Sequence, residues 1–167
     1  MPLLMMNVAS LTGHLHLSPG FEWIESYYSS IAFGTATLLE VLAYYIPWLD
    51  HLLDLITSPA AILAGIIATA SMVMDISPFL KWTLALIAGG GAAAIVQGVT
   101  VTMRTKSSAL TAGAGNVFVS SLELVGSIIT ALLAVIVPIV CLVLIALLFL
   151  FVIWKVGRLF IGRMKIK

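Results

Sequence analysis

Two glutamates lie inside long apolar stretches of this sequence and are the residues best suited to chemistry. Glu40 lies within 30–48, and Glu123 is the single charged residue of 117–154. A carboxylate at the centre of a membrane helix costs about 2.5 kcal/mol or more, so it faces the protein interior or water and marks an ion or solute path. No basic residue lies at the same depth, which favours a protonated acid or a bound cation over an ion pair. The competing interpretation is a protonated Glu hydrogen-bonded to a hydroxyl of a neighbouring helix.

Small polar side chains near the two glutamates complete the predicted polar site: Thr37, Asn116, Ser120 and Ser121. The glycine-rich segment 111–116 leads into a predicted helix, whose first N–H groups could hold an anion. Arg104 and Lys106 are close in sequence and are predicted to contact anions or lipid headgroups at the cytoplasmic surface. The segment lacks the Lys-Ser/Thr pair of a phosphate loop. A flexible turn with Asn116 as the helix cap is therefore the favoured interpretation.

Nothing in the sequence predicts an enzyme, a metal site or a cofactor. It contains neither Gly-x-Ser-x-Gly nor His-Glu-x-x-His spacing. His14 and His16 stand two residues apart without further ligands, and the lone Cys141 lies in an apolar run. The net charge of +1 gives no reason to expect a nucleic acid partner.

The composition is that of an integral membrane protein. The chain is 62% hydrophobic and 9% charged, with a mean hydropathy of +1.19, whereas soluble domains carry about 25% charged residues. At 167 residues it has room for a single transmembrane domain. Its last seven residues, 161–167, form a basic tail. The lipid bilayer is thus the one partner that the composition identifies.

The stretch Val117–Trp154 predicts a hairpin of two membrane helices. As one helix, its 38 residues would run about 57 Å, whereas the hydrocarbon core of a bilayer is about 30 Å thick. Two spans that turn near Val135–Ile139 fit better, because Pro138 breaks a helix there. One long, tilted helix with a proline kink is the alternative.

The distribution of basic residues favours the hairpin. Lys and Arg concentrate on the cytoplasmic side of membrane proteins, and here they flank the hairpin on both sides: Arg104 and Lys106 before it, and Lys155, Arg158, Arg163, Lys165 and Lys167 after it. Both flanks are then cytoplasmic, which requires an even number of crossings. This predicts a multi-pass membrane protein with a cytoplasmic C-terminus.

The rest of the chain predicts four further segments. Met1–Gly13 is too short to cross, 21–28 is interfacial, and 30–48 is a span. Helices begin at Ser58-Pro59 and Ser77-Pro78, and a polar loop occupies 104–116. The predicted fold class is an all-α polytopic bundle of five to six transmembrane segments.

Six alternating segments also divide into two halves, 1–77 and 78–160, of opposite topology. Such inverted repeats are common in transporters. An offset of 83 residues places Glu40 on Glu123. Equivalent residues of an inverted repeat approach the bilayer midplane, so the two carboxyl groups are predicted to lie within about 10 Å of each other.

Two motifs carry a resemblance to a known family. Ile46-Pro47-Trp48-Leu49-Asp50 follows Glu40, and Gly113–Asn116 precedes Ser121-Leu122-Glu123. In these motifs, over roughly residues 30 to 155, the chain resembles the uncharacterised bacterial membrane family called domain of unknown function 4126. It departs from the family pattern at Val117, where a proline is usual, and at Ala43-Tyr44-Tyr45, where a charged pair is common. The resemblance implies a membrane protein and brings no activity with it.

Two functions are compatible with these features. The first is a permease or channel for a small solute or ion, lined by Glu40 and Glu123. The second is an assembly subunit that docks partner helices through small-residue faces at Gly65 and Gly89–Gly91. The same small-residue faces predict a homo-oligomer.

Overall fold

The computed structural model describes residues 1–43, 46–111 and 114–164, and in these ranges the chain is helical and contains no strand. The helices are α1 (Pro2–Leu11), α2 (Tyr27–Ala43), α3 (Pro47–Met72), α4 (Pro78–Thr111), α5 (Ala114–Ile136) and α6 (Pro138–Met164). A short 3₁₀ helix, Glu22–Glu25, lies between α1 and α2. The predicted all-α class is confirmed.

Within the described ranges, three segments are long and apolar enough to cross a membrane: Leu55–Met72, Pro78–Thr111 and Phe118–Ile136. Only 6–11% of the residues in their most apolar stretches are buried within the protein. Their aliphatic side chains therefore face outward, as those of lipid-facing helices do. Helix α1, at 10 residues, is as short as the sequence predicted.

Prolines at the first helical positions explain where several helices begin. Pro47 and Pro78 occupy such positions, where the missing N–H would be unsatisfied in any case. Ser77 caps α4 by accepting a hydrogen bond from the backbone N–H of Leu80 at 3.4 Å, which confirms the predicted start. The predicted start at Ser58-Pro59 is wrong, because α3 begins at Pro47 and continues through Pro59. Membrane helices tolerate an interior proline where neighbouring groups satisfy the freed carbonyl.

The predicted polar loop 104–116 is also wrong over most of its length, since α4 runs on to Thr111. Hydroxyl groups there bond to carbonyls one turn back and so stay compatible with a helix. Thr105 Oγ1 donates to Val101 O at 2.8 Å, and Thr111 Oγ1 donates to Ser107 O at 2.7 Å. A polar run without an early glycine or proline is thus a continuation of the helix.

A small core holds the N-terminal region together. It consists of Phe21, Ile24, Ala70 and Ala85, with Leu17, Phe33, Ile66 and Ile67 packed against it. The fully buried Asn7 amide donates to Ile24 O at 2.5 Å and to Ser26 O at 3.2 Å, and accepts from Ser30 Oγ at 2.7 Å. Because both ends of this amide are satisfied, it can be buried without a large cost. It joins α1 to the segment that leads into α2.

The same segment is fixed to α3 and α4. The backbone N–H of Ser18 donates to Ser71 O at 2.7 Å, and Lys81 Nζ donates to Ser18 Oγ. At Gly20 (φ +92°) the backbone adopts a left-handed conformation that suits glycine. The N–H of Gly20 donates to both carboxylate oxygens of Glu22, which lowers the pKa of that exposed side chain.

Helices α3 and α4 cross through facing glycines. A Cβ added at Gly65 would lie 2.6 Å from Gly89 O and 2.8 Å from the Cβ of Ala93. A Cβ at Gly89 would clash with Gly65 O and Thr69 Oγ1. The crossing falls on a π-helical segment of α4, Ala85–Gly90. Small residues permit this close backbone approach.

The predicted break near Pro138 is confirmed: α5 ends at Ile136 and α6 begins at Pro138. Val137 alone separates them, with its N–H donating to Leu133 O and its carbonyl accepting from Cys141 N. Cys141 Sγ lies 3.7 Å from Thr130 O. In a straight helix, residues 130 and 141 would lie about 16 Å apart along the axis. The chain therefore turns back at Val137, within the predicted range Val135–Ile139.

The chain forms two compact units, Met1–Ile128 and Ile129–Lys167. The first contains α1 to α4 and most of α5. The second contains the last turns of α5 and all of α6, including the turn at Val137. The features that follow lie in the first unit.

Candidate functional site

Polar residues recur along α4 and α5 every three or four positions. On α4 they are Gln97, Thr100, Arg104, Ser107 and Thr111, and on α5 they are Asn116, Ser120, Glu123 and Ser127. Residues at this spacing lie on one face of a helix. We call these two faces together the polar seam.

The polar seam is the less exposed side of both helices. Arg104 and Ser120 are buried at 4% and 0% exposure, and Gln97, Thr100, Ser107, Glu123 and Ser127 are half-buried. The apolar side chains between them are exposed, among them Val96, Val99, Met103, Leu122 and Val125. A hydrocarbon environment imposes this arrangement, in which polar side chains face the protein and apolar side chains face outward.

An ion pair lies within the polar seam. Arg104 Nη2 is 2.5 Å from Glu123 Oε2, and the two side chains are 5% and 30% exposed. Removing each ion from water costs several kcal/mol, which only close contact and further hydrogen bonds offset. Charge-assisted bonds of this kind are about twice as strong as neutral ones. The contact holds α4 and α5 together by opposite charges.

The hydroxyl of Ser120 lies one helical turn from this ion pair. It is fully buried, and among the described residues its Oγ has no hydrogen-bond partner. A buried donor without a partner costs about 1–3 kcal/mol. Such a group is unusual in a folded protein and points to a ligand or water that it serves.

The two ends of the polar seam are closed by direct contacts. At one end the N–H of Gly115 donates to Thr111 Oγ1 at 2.8 Å, and a Cβ at Gly115 would clash with Ser107 Oγ. At the other end Gln97 Nε2 donates to Ser58 Oγ of α3 at 3.2 Å. The polar seam thus runs from the connection of α4 and α5 toward α3.

The structure brings part of the predicted site together. Glu123 meets Arg104 in the polar seam. Ser120 lies one turn before Glu123 on the same face of α5, and the adjacent Ser121 is half-buried. The side chain of Asn116 lies outside the described part of the structure. The expectation that no basic residue pairs with Glu123 is wrong.

The two predicted cationic contacts differ in their surroundings. Arg104 is buried at 4% exposure and pairs with Glu123, and its predicted contact with an anion or a lipid headgroup stays a prediction. Lys106, in contrast, is exposed. Extension of α4 beyond residue 103 explains the difference, since it turns Arg104 inward and Lys106 outward.

Glu40 has a different cationic neighbour from Glu123. Its Oε2 lies 3.9 Å from the amino group of Met1, and its side chain is 37% exposed. Thr37, one turn earlier on α2, is buried at 9% exposure. Glu40 and Thr37 therefore form a second polar position, on α2, and the predicted 10 Å approach of the two carboxyl groups stays a prediction.

Sequence reasoning missed Arg104, Gln97, Ser107 and Ser127 as members of one face. The available signal was the spacing of three and four residues, which continues from Gln97 to Thr111 without a break. Assigning 104–116 to a loop cut that pattern in two. Within the described ranges, no three His, Cys, Asp or Glu side chains are grouped as metal ligands.

Comparison with known proteins gives one match. The model of a family described as a domain of unknown function (DUF4126) matches residues 1–158. No curated protein and no solved structure matches the chain. The match agrees with the resemblance that the motifs around Glu40 and Glu123 carry.

Proposed function

We propose a function from the polar seam itself, since the chain belongs to the DUF4126 family, whose description assigns no function. The protein is a small-solute or ion permease of the membrane, without enzymatic activity, and the polar seam lines its path. The observation that carries this proposal is the ion pair of the buried Arg104 with the half-buried Glu123 on two apolar helices. Ionisable residues within membrane helices are costly, and their usual role is in ion or solute pathways.

The seam supplies what a polar solute needs in hydrocarbon. Hydroxyl and amide groups above and below the ion pair replace hydrogen bonds that the solute loses with its water shell. The Ser120 hydroxyl, which has no partner in the described part of the chain, offers one such bond one helical turn from the charges. Glu40 and Thr37 on α2 belong to the same proposal as a second polar position.

Solute flux tests this proposal. In proteoliposomes, the native chain is expected to admit glycerol, urea or potassium formate faster than protein-free liposomes do, measured by stopped-flow light scattering. Glu123→Gln is expected to change the rate at least tenfold, because it removes the charge that Arg104 faces. Thr105→Ala is the matched control, since this hydroxyl is exposed and donates to Val101 O of its own helix. Flux equal to that of empty liposomes, or an unaffected Glu123→Gln, would overturn the proposal.

The proposed location is a bacterial inner membrane, with the connection of α4 to α5 and the C-terminus in the cytoplasm. The basic residues near both support it. Lys106 is exposed, so a Lys106→Cys variant in a Cys141→Ser background is expected to resist a membrane-impermeant maleimide in intact cells. It should react once the cells are permeabilised. Labelling of intact cells would reverse the orientation.

Two further parts of the proposal concern symmetry and assembly. The order of six helices and the acidic residues on α2 and α5 support a three-plus-three inverted arrangement.

Exposed helix faces support a homo-oligomer, which native mass spectrometry from mild detergent would detect. An assembly subunit that docks partners through Gly65 and Gly89 is less favoured, since these glycines pack against each other within the chain.

A further inference from the structure

We propose that the polar seam binds a small carboxylate anion that takes the place of the Glu123 carboxylate on Arg104 and reaches the Ser120 hydroxyl. This inference rests on the proposed function and names the class of solute. Two steps lead to it: Glu123 is the member of the ion pair that can be displaced, and the groups that remain, Arg104 and Ser120, suit a carboxylate.

Arg104 is the fixed member of the ion pair. Its side chain is 5% exposed, whereas that of Glu123 is 30% exposed. An arginine does not lose its proton in a protein, so a buried guanidinium needs an anion beside it at all times. Glu123, which is already partly open to its surroundings, is therefore the partner that can be exchanged.

The group that replaces Glu123 has to be an anion with two acceptor oxygens. A guanidinium presents its N–H donors in a planar fork that matches a carboxylate, with two parallel hydrogen bonds. A cationic solute would be repelled by the charge of Arg104, and a neutral one would not replace the negative charge of the displaced carboxylate. A carboxylate reproduces both the charge and the shape of the displaced group.

Ser120 supplies the second recognition element. It lies three residues before Glu123, on the same face of α5, and its buried hydroxyl has no partner among the described residues. It would donate a hydrogen bond to an oxygen of the bound carboxylate. The close approach of α4 and α5 at Gly115 and Ser107 limits the space at that end of the polar seam, so the smallest carboxylates are the ligands to test.

Formate and acetate test the site, with formamide and acetamide as neutral analogues of the same shape. The purified chain is heated in mild detergent at constant ionic strength set with chloride, and unfolding is followed by tryptophan fluorescence. A ligand that binds only the folded state raises its stability with concentration. Formate is expected to raise the unfolding temperature of the native chain, and formamide is expected to leave it unchanged.

Three variants assign the effect to residues. Glu123→Gln should bind formate at least tenfold more tightly, because it removes the competing carboxylate. Ser120→Ala should bind it several-fold more weakly, and the double variant Arg104→Gln/Glu123→Gln should lose the response while carrying no unpaired charge. Thr105→Ala should match the native chain.

Each contrary result overturns the assignment. An equal response to formamide, or to chloride alone, would show that no carboxylate is recognised. A response retained by the double variant would place the anion elsewhere, and an unaffected Ser120→Ala would remove the hydroxyl from the site. Flux of glycerol without formate binding would leave the permease standing and remove the carboxylate. Formate binding without any flux would support the carboxylate site and contradict the permease.

Discussion

Arg104→Gln is expected to lower the free energy of unfolding by about 3 kcal/mol. The substitution leaves the Glu123 carboxylate in the polar seam without its cation, and breaking a buried pair from one side costs about 3–5 kcal/mol. The lower end of that range applies, because the Glu123 side chain is 30% exposed and therefore partly hydrated. Thermal or denaturant unfolding in detergent micelles measures the loss.

The double variant Arg104→Gln/Glu123→Gln separates this effect from a general loss of packing. It removes both charges, and two facing amides can bond to each other, so most of the lost stability should return. A double-mutant cycle then gives the coupling between the two side chains. If Arg104→Gln costs no more than Thr105→Ala, or if the double variant is as unstable as the sum of the single ones, the ion pair does not hold α4 and α5 together.

Gly89→Ala is the second substitution with a large expected effect. The added methyl group would clash with the backbone oxygen of Gly65 and with Thr69 Oγ1. Backbone atoms cannot move aside without separating α3 from α4, and overpacking of this kind costs about 1–3 kcal/mol. The unfolding temperature should fall, although alanine is a better helix former than glycine by about 1 kcal/mol.

Gly91→Ala is the matched control, two residues further along α4. A Cβ there meets nothing within 4 Å, so only the gain in helix propensity remains and stability should be unchanged or slightly higher. A loss of stability in Gly89→Ala without a loss in Gly91→Ala would place the crossing of α3 and α4 at Gly89. Equal effects at both positions would contradict the close approach of α3 and α4.

The sequence allowed the helix order and the proline break to be predicted, because both follow from strong local rules. An apolar stretch of 38 residues is too long for one crossing, and Pro138 lacks the N–H that a helix interior uses. Ser77-Pro78 likewise combines a capping hydroxyl with a proline of fixed φ, so the start of α4 was predicted correctly.

The Arg104–Glu123 pair could not be predicted, because it depends on where α4 ends. Polar sequence such as 104–111 is compatible with a surface loop and with a helix whose polar side is covered by another helix. Only the approach of α5 decides between them. The same dependence explains Pro59, which begins a helix when read locally and lies inside α3 in the fold.

The π-helical segment Ala85–Gly90 sets the angular phase of everything that follows it in α4. An α-helix advances about 100° per residue, and a π turn closes with one residue more. Residues beyond Gly90 are therefore rotated by about 100° from the directions that an uninterrupted α-helix would give them. The glycines that meet α3 lie within this segment, and the polar face from Gln97 onward lies after it. One helix thereby directs its glycines to one neighbour and Arg104 to another, and removing a single residue from Ala85–Gly90 would swing the charged face toward the lipid.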